Sequence, residues 1–346
     1  MLFLRLVVRS ICARYSAHAD YSFRRLVAAI PSFVLAGCCL IGQSLVFAQT
    51  AGCPPAAPTI GPEQSSLGLK NAQNRGPLWR LEKAGRTSWL YGTVHAARAE
   101  WLFPGPAIVR ALLQSDALAL ELNVLDAESL KPLTQPVDPA QAQRVLIDGR
   151  AERLARQTSM ACLPPAALDQ LRPALRAITL LVLGVRQDGF YTDFAVDAVL
   201  AGAAQAMKKP IIALESAQDQ VDLLAGRSDT EERSILDAAL KELESGKGSE
   251  QGVLLMQAWA AADVARLNDY PVWCKCMDQP QDRAMMKRLL DDRNVLMADK
   301  IALMHDAGQR VFAGVGVLHM IGKQGLPALM RAKGYRVELE MFSAKP

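Results

Sequence analysis

From Leu78 onward, short apolar runs alternate with longer helical patterns. Leu78-Trp79-Arg80-Leu81 has strand-like alternation, Lys83-Ala84-Gly85-Arg86 is a turn signal, and Ser88-Trp89-Leu90-Tyr91 reads as the returning strand of a hairpin. That strand runs directly into Gly92-Thr93-Val94-His95. Pro106 to Gln114 has helical periodicity, and Ala117-Leu118-Ala119-Leu120 is a buried-strand pattern ending in Glu121. Helices are expected to about Gly184, punctuated at Cys162-Leu163-Pro164-Pro165, and again over about 193–207. Ile211-Ile212-Ala213-Leu214 is the next strand, closed by Glu215. Amphipathic helices fill about 230–267 and 279–307. Arg310 to Gly316 reads as a strand entering Gly316-Val317-Leu318-His319. A helix over about 323–333, a stop at Gly334 and a strand from Tyr335 to Phe342 complete the pattern.

Apolar strands separated by helices predict an α/β fold with a mixed, largely parallel sheet covered by helices. No low-complexity break interrupts residues 76–342, so 76–346 reads as one domain. Residues 49–75 carry Cys53-Pro54-Pro55 and then Ala, Pro, Gly, Ser and Gln with little apolar period, and read as a linker.

Residues 1–48 read as an export signal. Arg5, Arg9, Arg14, Arg24 and Arg25 face only Asp20, and an apolar stretch from Leu26 to Phe47 follows. Val46-Phe47-Ala48 fits a small-residue cleavage pattern, with a mature start near Gln49. Two rival readings stay open: a lipoprotein box at Leu35-Ala36-Gly37-Cys38, which would lipidate Cys38, and a retained N-terminal membrane anchor. All three place the domain outside the cytoplasm, periplasmic or secreted, with membrane attachment through the N-terminus in the last two. Beyond the leader, 34 of the 39 basic and 34 of the 35 acidic residues remain. That balance gives no electrostatic case for nucleic acid.

Four cysteines, Cys53, Cys162, Cys274 and Cys276, lie beyond the leader, an even number suited to disulfides in an oxidising compartment. Cys274-Lys275-Cys276 is too tight for a structural zinc pair and lacks the C-x-x-C spacing of a redox motif. The expected bridge ties this segment to Cys53 or Cys162.

Beyond the leader the histidines are His95, His305 and His319. His95 and His319 share one setting, a glycine three residues earlier at the end of an apolar strand. Glycine there suits a sharp turn or close approach, and strand carboxyl ends are where open α/β sheets place ligands. Two imidazoles with a carboxylate suit zinc, manganese, cobalt or iron. Glu121, and Glu215 in the equivalent position, are the candidate carboxylates, because a charge at the rim of a buried strand is costly unless paired or coordinated. His305, on a helix with polar neighbours, reads as a surface residue. G-x-S-x-G and H-E-x-x-H are both absent.

Leu90-Tyr91-Gly92-Thr93-Val94-His95, Leu118-Ala119-Leu120-Glu121, Ala213-Leu214-Glu215 with Gln220, Arg293-Asn294 and Gly316-Val317-Leu318-His319-Met320, taken in order, resemble the TraB/PrgY/GumN family over about residues 78–342. The family is related to the Tiki metal-dependent membrane proteases and, more distantly, to erythromycin esterases and haem-uptake ChaN proteins. The resemblance implies a pseudo-repeat of two halves around a central cleft. It carries the paired family histidines onto His95 and His319, the carboxylate onto Glu121, which would ligate the metal or act as general base, and the Arg-Asn pair onto Arg293 and Asn294. Asp197 stands where many members have an acidic residue. The resulting expectation is a hydrolase dependent on Mn, Co or Zn that acts on an extracytoplasmic peptide or protein. The alternative is an exported binding protein using the same cleft for a peptide, haem or polysaccharide-related ligand, because related folds host different chemistries.

Overall fold

The hairpin that opens the sheet is set by two residues. Ala84 (φ 52°) and Gly85 (φ 71°) both take positive φ, the geometry of a two-residue turn whose twist matches its strands. It joins β1 (Leu78–Lys83) to β2 (Arg86–Thr93), with Lys83 opposite Arg86. The computed structural model describes residues 52–342. The export signal, its cleavage site and the Cys38 lipoprotein box lie outside the described residues.

Four further strands complete one sheet: β3 (Ala117–Leu120), β4 (Ile211–Ala213), β5 (Val311–Gly316) and β6 (Arg336–Leu339). Their order is β4-β3-β5-β2-β1-β6. β4, β3, β5 and β2 are mutually parallel, and β1 runs antiparallel to both β2 and β6. The fold is therefore α/β with a largely parallel sheet. β3 is buried at every position and β5 at all but Gly316, because helices cover both faces. Leu118, Leu120 and Phe312 face a core built with Ile108, Phe194, Leu200 and Trp259. Their neighbours Ala119, Val311, Ala313 and Val315 face the opposite core, with Met297, Ile301, Leu326 and Met330. This alternation is the period-two signature of a strand buried on both sides.

A third core is purely helical. Leu154 of the Arg150–Met160 helix, Leu180 of Pro173–Leu183, Val221 of Ala217–Ala225 and Leu236 and Leu240 of Asp229–Ser245 pack together. The segment joining β3 to β4 and the one leaving β4 build this module together. Among the described residues no helix is long and apolar enough to cross a membrane.

Three sequence readings change. Residues 49–75, expected to be a linker, include the helix Pro62–Lys70. The segment also makes fixed contacts: Asn74 Oδ1 accepts from the Ala107 amide (2.8 Å), and the Arg75 carbonyl accepts from the Tyr91 hydroxyl (2.8 Å). The helix was invisible in the pattern because none of its residues is buried. The disulfides pair Cys53 with Cys162 and Cys274 with Cys276, so the two-cysteine segment closes on itself instead of reaching either distant cysteine. His305 is fully buried, not at the surface. Its Nδ1 is 2.8 Å from Ser88 Oγ and its Nε2 3.1 Å from the Lys83 carbonyl, which ties the Asp292–Asp306 helix to the opening hairpin.

Candidate functional site

β2 and β5 are parallel neighbours, so both Gly-x-x-His turns leave the same end of the sheet, with Thr93 opposite Gly316. They meet side by side on one sheet. Neither glycine takes a positive φ: Gly316 has φ −47°, and Gly92 is likewise outside the left-handed region. Close approach is what requires them. A Cβ on Gly92 would lie 2.9 Å from Val317 Cγ2 of the second turn, and one on Gly316 would lie 3.1 Å from Glu121 Oε1.

The His95 turn is held on three sides. Trp259 Nε1 donates to the Gly92 carbonyl (2.6 Å), Val196 N donates to the Val94 carbonyl (2.9 Å), and Ala97 exchanges two backbone hydrogen bonds with Tyr191. This seats His95 against the Val196–Ala206 helix, whose first turn carries Asp197. His95 Nδ1 lies 3.5 Å from Asp197 Oδ1, an ion-pair distance without hydrogen-bond alignment. His319 sits in a 3-10 turn, Val317–Met320, and is buried. Asn294 Nδ2 donates to the Gln324 carbonyl (2.8 Å), so Asn294 Oδ1 must face His319 and accept from Nδ1–H (2.7 Å). That fixes the tautomer and leaves Nε2 without a hydrogen bond among the described residues.

Glu121 continues β3 and accepts from the Gly316 amide (2.8 Å) and from Arg293 Nη2 (2.7 Å). Glu215 continues β4, its amide bonded to the Glu121 carbonyl (3.0 Å). Arg293 Nε donates to Glu215 Oε1 (2.7 Å), and Nη2 also reaches Glu215 Oε2. Arg293 follows a π-helical turn, Lys287–Asp291, and Nη1 donates back into it at the Leu289 carbonyl (2.8 Å). Single π-turns of this kind recur at functional sites.

The charges divide the two imidazoles. Loss of bulk water lowers the pKa of His95, but the Asp197 carboxylate, helped by Glu121, outweighs it and raises the value to about 9. The ring keeps 59 % of its side-chain surface open, so the cleft displaces water around it without sealing it. Burial lowers His319 to about 4; Arg293 and His95 push the same way against Glu121 and Glu215. Burial would raise Glu121, but His319, His95, Arg293 and the Gly316 amide hold it down at about 2. Near neutral pH the site by itself therefore holds an imidazolium, a neutral imidazole and a carboxylate, and His95 would release its Nε2 proton on binding a cation.

These groups line a cleft of about 370 Å³. Thr93, His95, Glu121, Arg293 and His319 form its polar floor. Its opposite wall is apolar: Leu181 and Val182 from the Pro173–Leu183 helix, Val185 beyond it, and Leu255 and Met256 from the Lys247–Ala260 helix.

The TraB/PrgY/gumN family model matches residues 77–339. The chain belongs to this family. It is 23 % identical over 253 residues to the uncharacterized protein YbaP of Shigella flexneri, covering 71 % of this chain and 88 % of that protein. YbaP of Escherichia coli K12 is likewise 23 % identical, over 70 % of this chain and 87 % of its own. No solved structure matches significantly.

In this TraB/PrgY/GumN chain, six sequence-predicted residues (His95, Glu121, Asp197, Arg293, Asn294 and His319) gather at one place, and Glu215 joins them through Arg293. A divalent cation needs several donors converging on one point. A Cβ on Gly316 would have Glu121 Oε1 at 3.1 Å, His319 Cδ2 at 3.6 Å and His95 Nε2 at 3.8 Å around it. Each ring's Nδ1 faces its own partner, the arrangement that orients metal-binding imidazoles. Two buried polar atoms here, Thr93 Oγ1 and Asp197 Oδ1, have no hydrogen-bond partner among the described residues. Among the described residues, however, no three His, Cys, Asp or Glu side chains are close enough to enclose an ion as they stand. The fit is one of donor chemistry and direction.

The Arg293 donors are taken by Glu121, Glu215 and the Leu289 carbonyl, so it organises the site's carboxylates. Sequence reasoning missed the apolar wall, because Leu181 and Met256 sit in ordinary helices far from the motifs, and Val185 in the 3-10 turn after one of them. It quoted Thr93 inside the first turn without giving it a role; its place opposite Gly316 becomes visible only through the strand register.

Proposed function

We propose that the cleft hydrolyses peptide or protein substrates outside the cytoplasm, with a divalent cation (manganese, cobalt or zinc) held by His95, His319 and Glu121. The supporting observation is the convergence of these three side chains above Gly316, with Asp197 behind His95 and Asn294 behind His319. A cation there supplies Lewis acidity toward a scissile carbonyl. Asn294 holds His319 in the tautomer that turns Nε2 outward. Glu121, kept ionised by its neighbours, suits holding positive charge better than accepting a proton. Arg293 fixes the Glu121 carboxylate, and the apolar wall excludes water from one side of the bound chain.

The test is cleavage of a peptide pool by chelator-stripped protein, with each metal added back. Cleavage restored by metal, and lost in His95→Ala, is the expected result. The second reading, a non-catalytic binder, is favoured by the Arg293 cation already occupying Glu121. It predicts ligand binding without turnover under every metal.

A further inference from the structure

The apolar wall of the cleft is also the wall of a second, smaller cavity of about 160 Å³. Leu181 and Gly248 line both. On the far side stand Leu180, Leu243, Arg186 and Glu242, with Pro54 closing the rim next to the Cys53–Cys162 bridge. Gly248 stands between the two cavities, and a Cβ there would lie 3.3 Å from Glu242 Oε1 and 3.4 Å from Leu181 Cδ2.

The Glu242 carboxylate makes no hydrogen bond or ion pair among the described residues, and Oε1 is buried without a partner. Most other acidic side chains bordering the helical module are paired: Glu232 with Arg172, Asp237 with Arg150, Glu244 with Arg153. An unpaired carboxylate beside leucines is costly, and a cationic partner relieves that cost through a charge-assisted hydrogen bond. Arg186 does not serve as that partner, because its Nε and Nη2 donate to the carbonyls of Leu183 (3.1 Å) and Ala161 (2.6 Å).

We infer that the cleft selects an extended peptide carrying an apolar side chain beside the reacting bond and a lysine or arginine a few residues away, the apolar group lying on Val182, Val185 and Met256 and the cation passing Gly248 to Glu242. This rests on the peptide-substrate reading of the cleft.

The test reads binding, so it does not depend on turnover. Fluorescein-labelled hexapeptides with two leucines followed by lysine, norleucine or glutamate are titrated into the full protein in chelator and followed by anisotropy. The lysine peptide should bind about tenfold more tightly than its norleucine counterpart. Glu242→Gln should erase that preference while leaving norleucine binding unchanged. Gly248→Val, checked for folding by circular dichroism, should close the passage and also erase it. Equal binding of the lysine and norleucine peptides, tighter binding of the glutamate peptide (Arg186 then governing the cavity), or no binding by any of the three would overturn the inference. Selective binding without cleavage on adding metal would retain it while removing the hydrolase reading.

Discussion

Asn294 shows how much rests on one side chain at this site. It is 1 % exposed, and its amide bridges the Gln324 carbonyl to His319 Nδ1. Asn294→Leu keeps the volume but frees the imidazole to rotate and swap tautomer. Metal affinity should fall about 10–100-fold, the usual cost of losing a supporting partner, as read by competition with a fluorescent chelator. An unchanged affinity would show that His319 is not oriented this way. Gly316→Ala is a complementary probe. Its Cβ would press on Glu121 Oε1, which the Gly316 amide and Arg293 already hold, so the variant should fold with near-native stability yet lose most cleavage. Native-like cleavage would refute the close-approach explanation of that glycine.

At the scale of elements, the site is built from the ends of four parallel strands, β2, β5, β3 and β4, tied by one helix through Arg293. Its side chain is 17 % exposed, against 12 % for Glu121 and 9 % for Glu215. Arg293→Met would leave two nearly buried carboxylates facing each other, at a cost of about 3–5 kcal/mol in urea denaturation at neutral pH. A loss below about 1 kcal/mol would mean that the carboxylates find other partners. These strand ends were legible in the sequence because an apolar run that stops at Glu121, Glu215 or a glycine is a local signal. Pro106–Gln114 was read to the residue, and the closing strand was placed but overextended, Arg336–Leu339 against Tyr335–Phe342. What escaped depends on distant partners. His305 is buried by Ser88, 217 positions away, and nothing in its own helix says so. The cysteine pairing was equally hidden, since spacing cannot choose among three connectivities.

Across the whole molecule, the Cys53–Cys162 bridge spans 109 positions and anchors the N-terminal segment to the helical module. Closing so long a loop contributes about 2–5 kcal/mol, so Cys53→Ser should lower the melting temperature by several degrees. Cys276→Ser, which opens a loop of sequence separation 2, should lower it far less; equal losses would contradict the chain-entropy argument. Acid should act at the Asp116–Arg310 pair, where Arg310 holds Asp116 down at about 2 through its side chain and its amide. A depressed carboxylate stabilises the fold above its unfolded pKa, and that contribution fades as pH falls through the folded value. The melting-temperature gap between wild type and Asp116→Asn should therefore narrow from about pH 4 to about pH 2, modestly, since Asp116 is 41 % exposed at its side chain. A gap independent of pH would place the effect elsewhere. Metal binding by the two histidine turns is read by cobalt(II) titration of chelator-stripped protein, followed by visible absorption. The expected spectrum saturates at one equivalent, is lost in His95→Ala and in His319→Ala, and survives in His305→Ala. Saturation that is indifferent to His95 and His319, or no spectrum in the wild type, would contradict it.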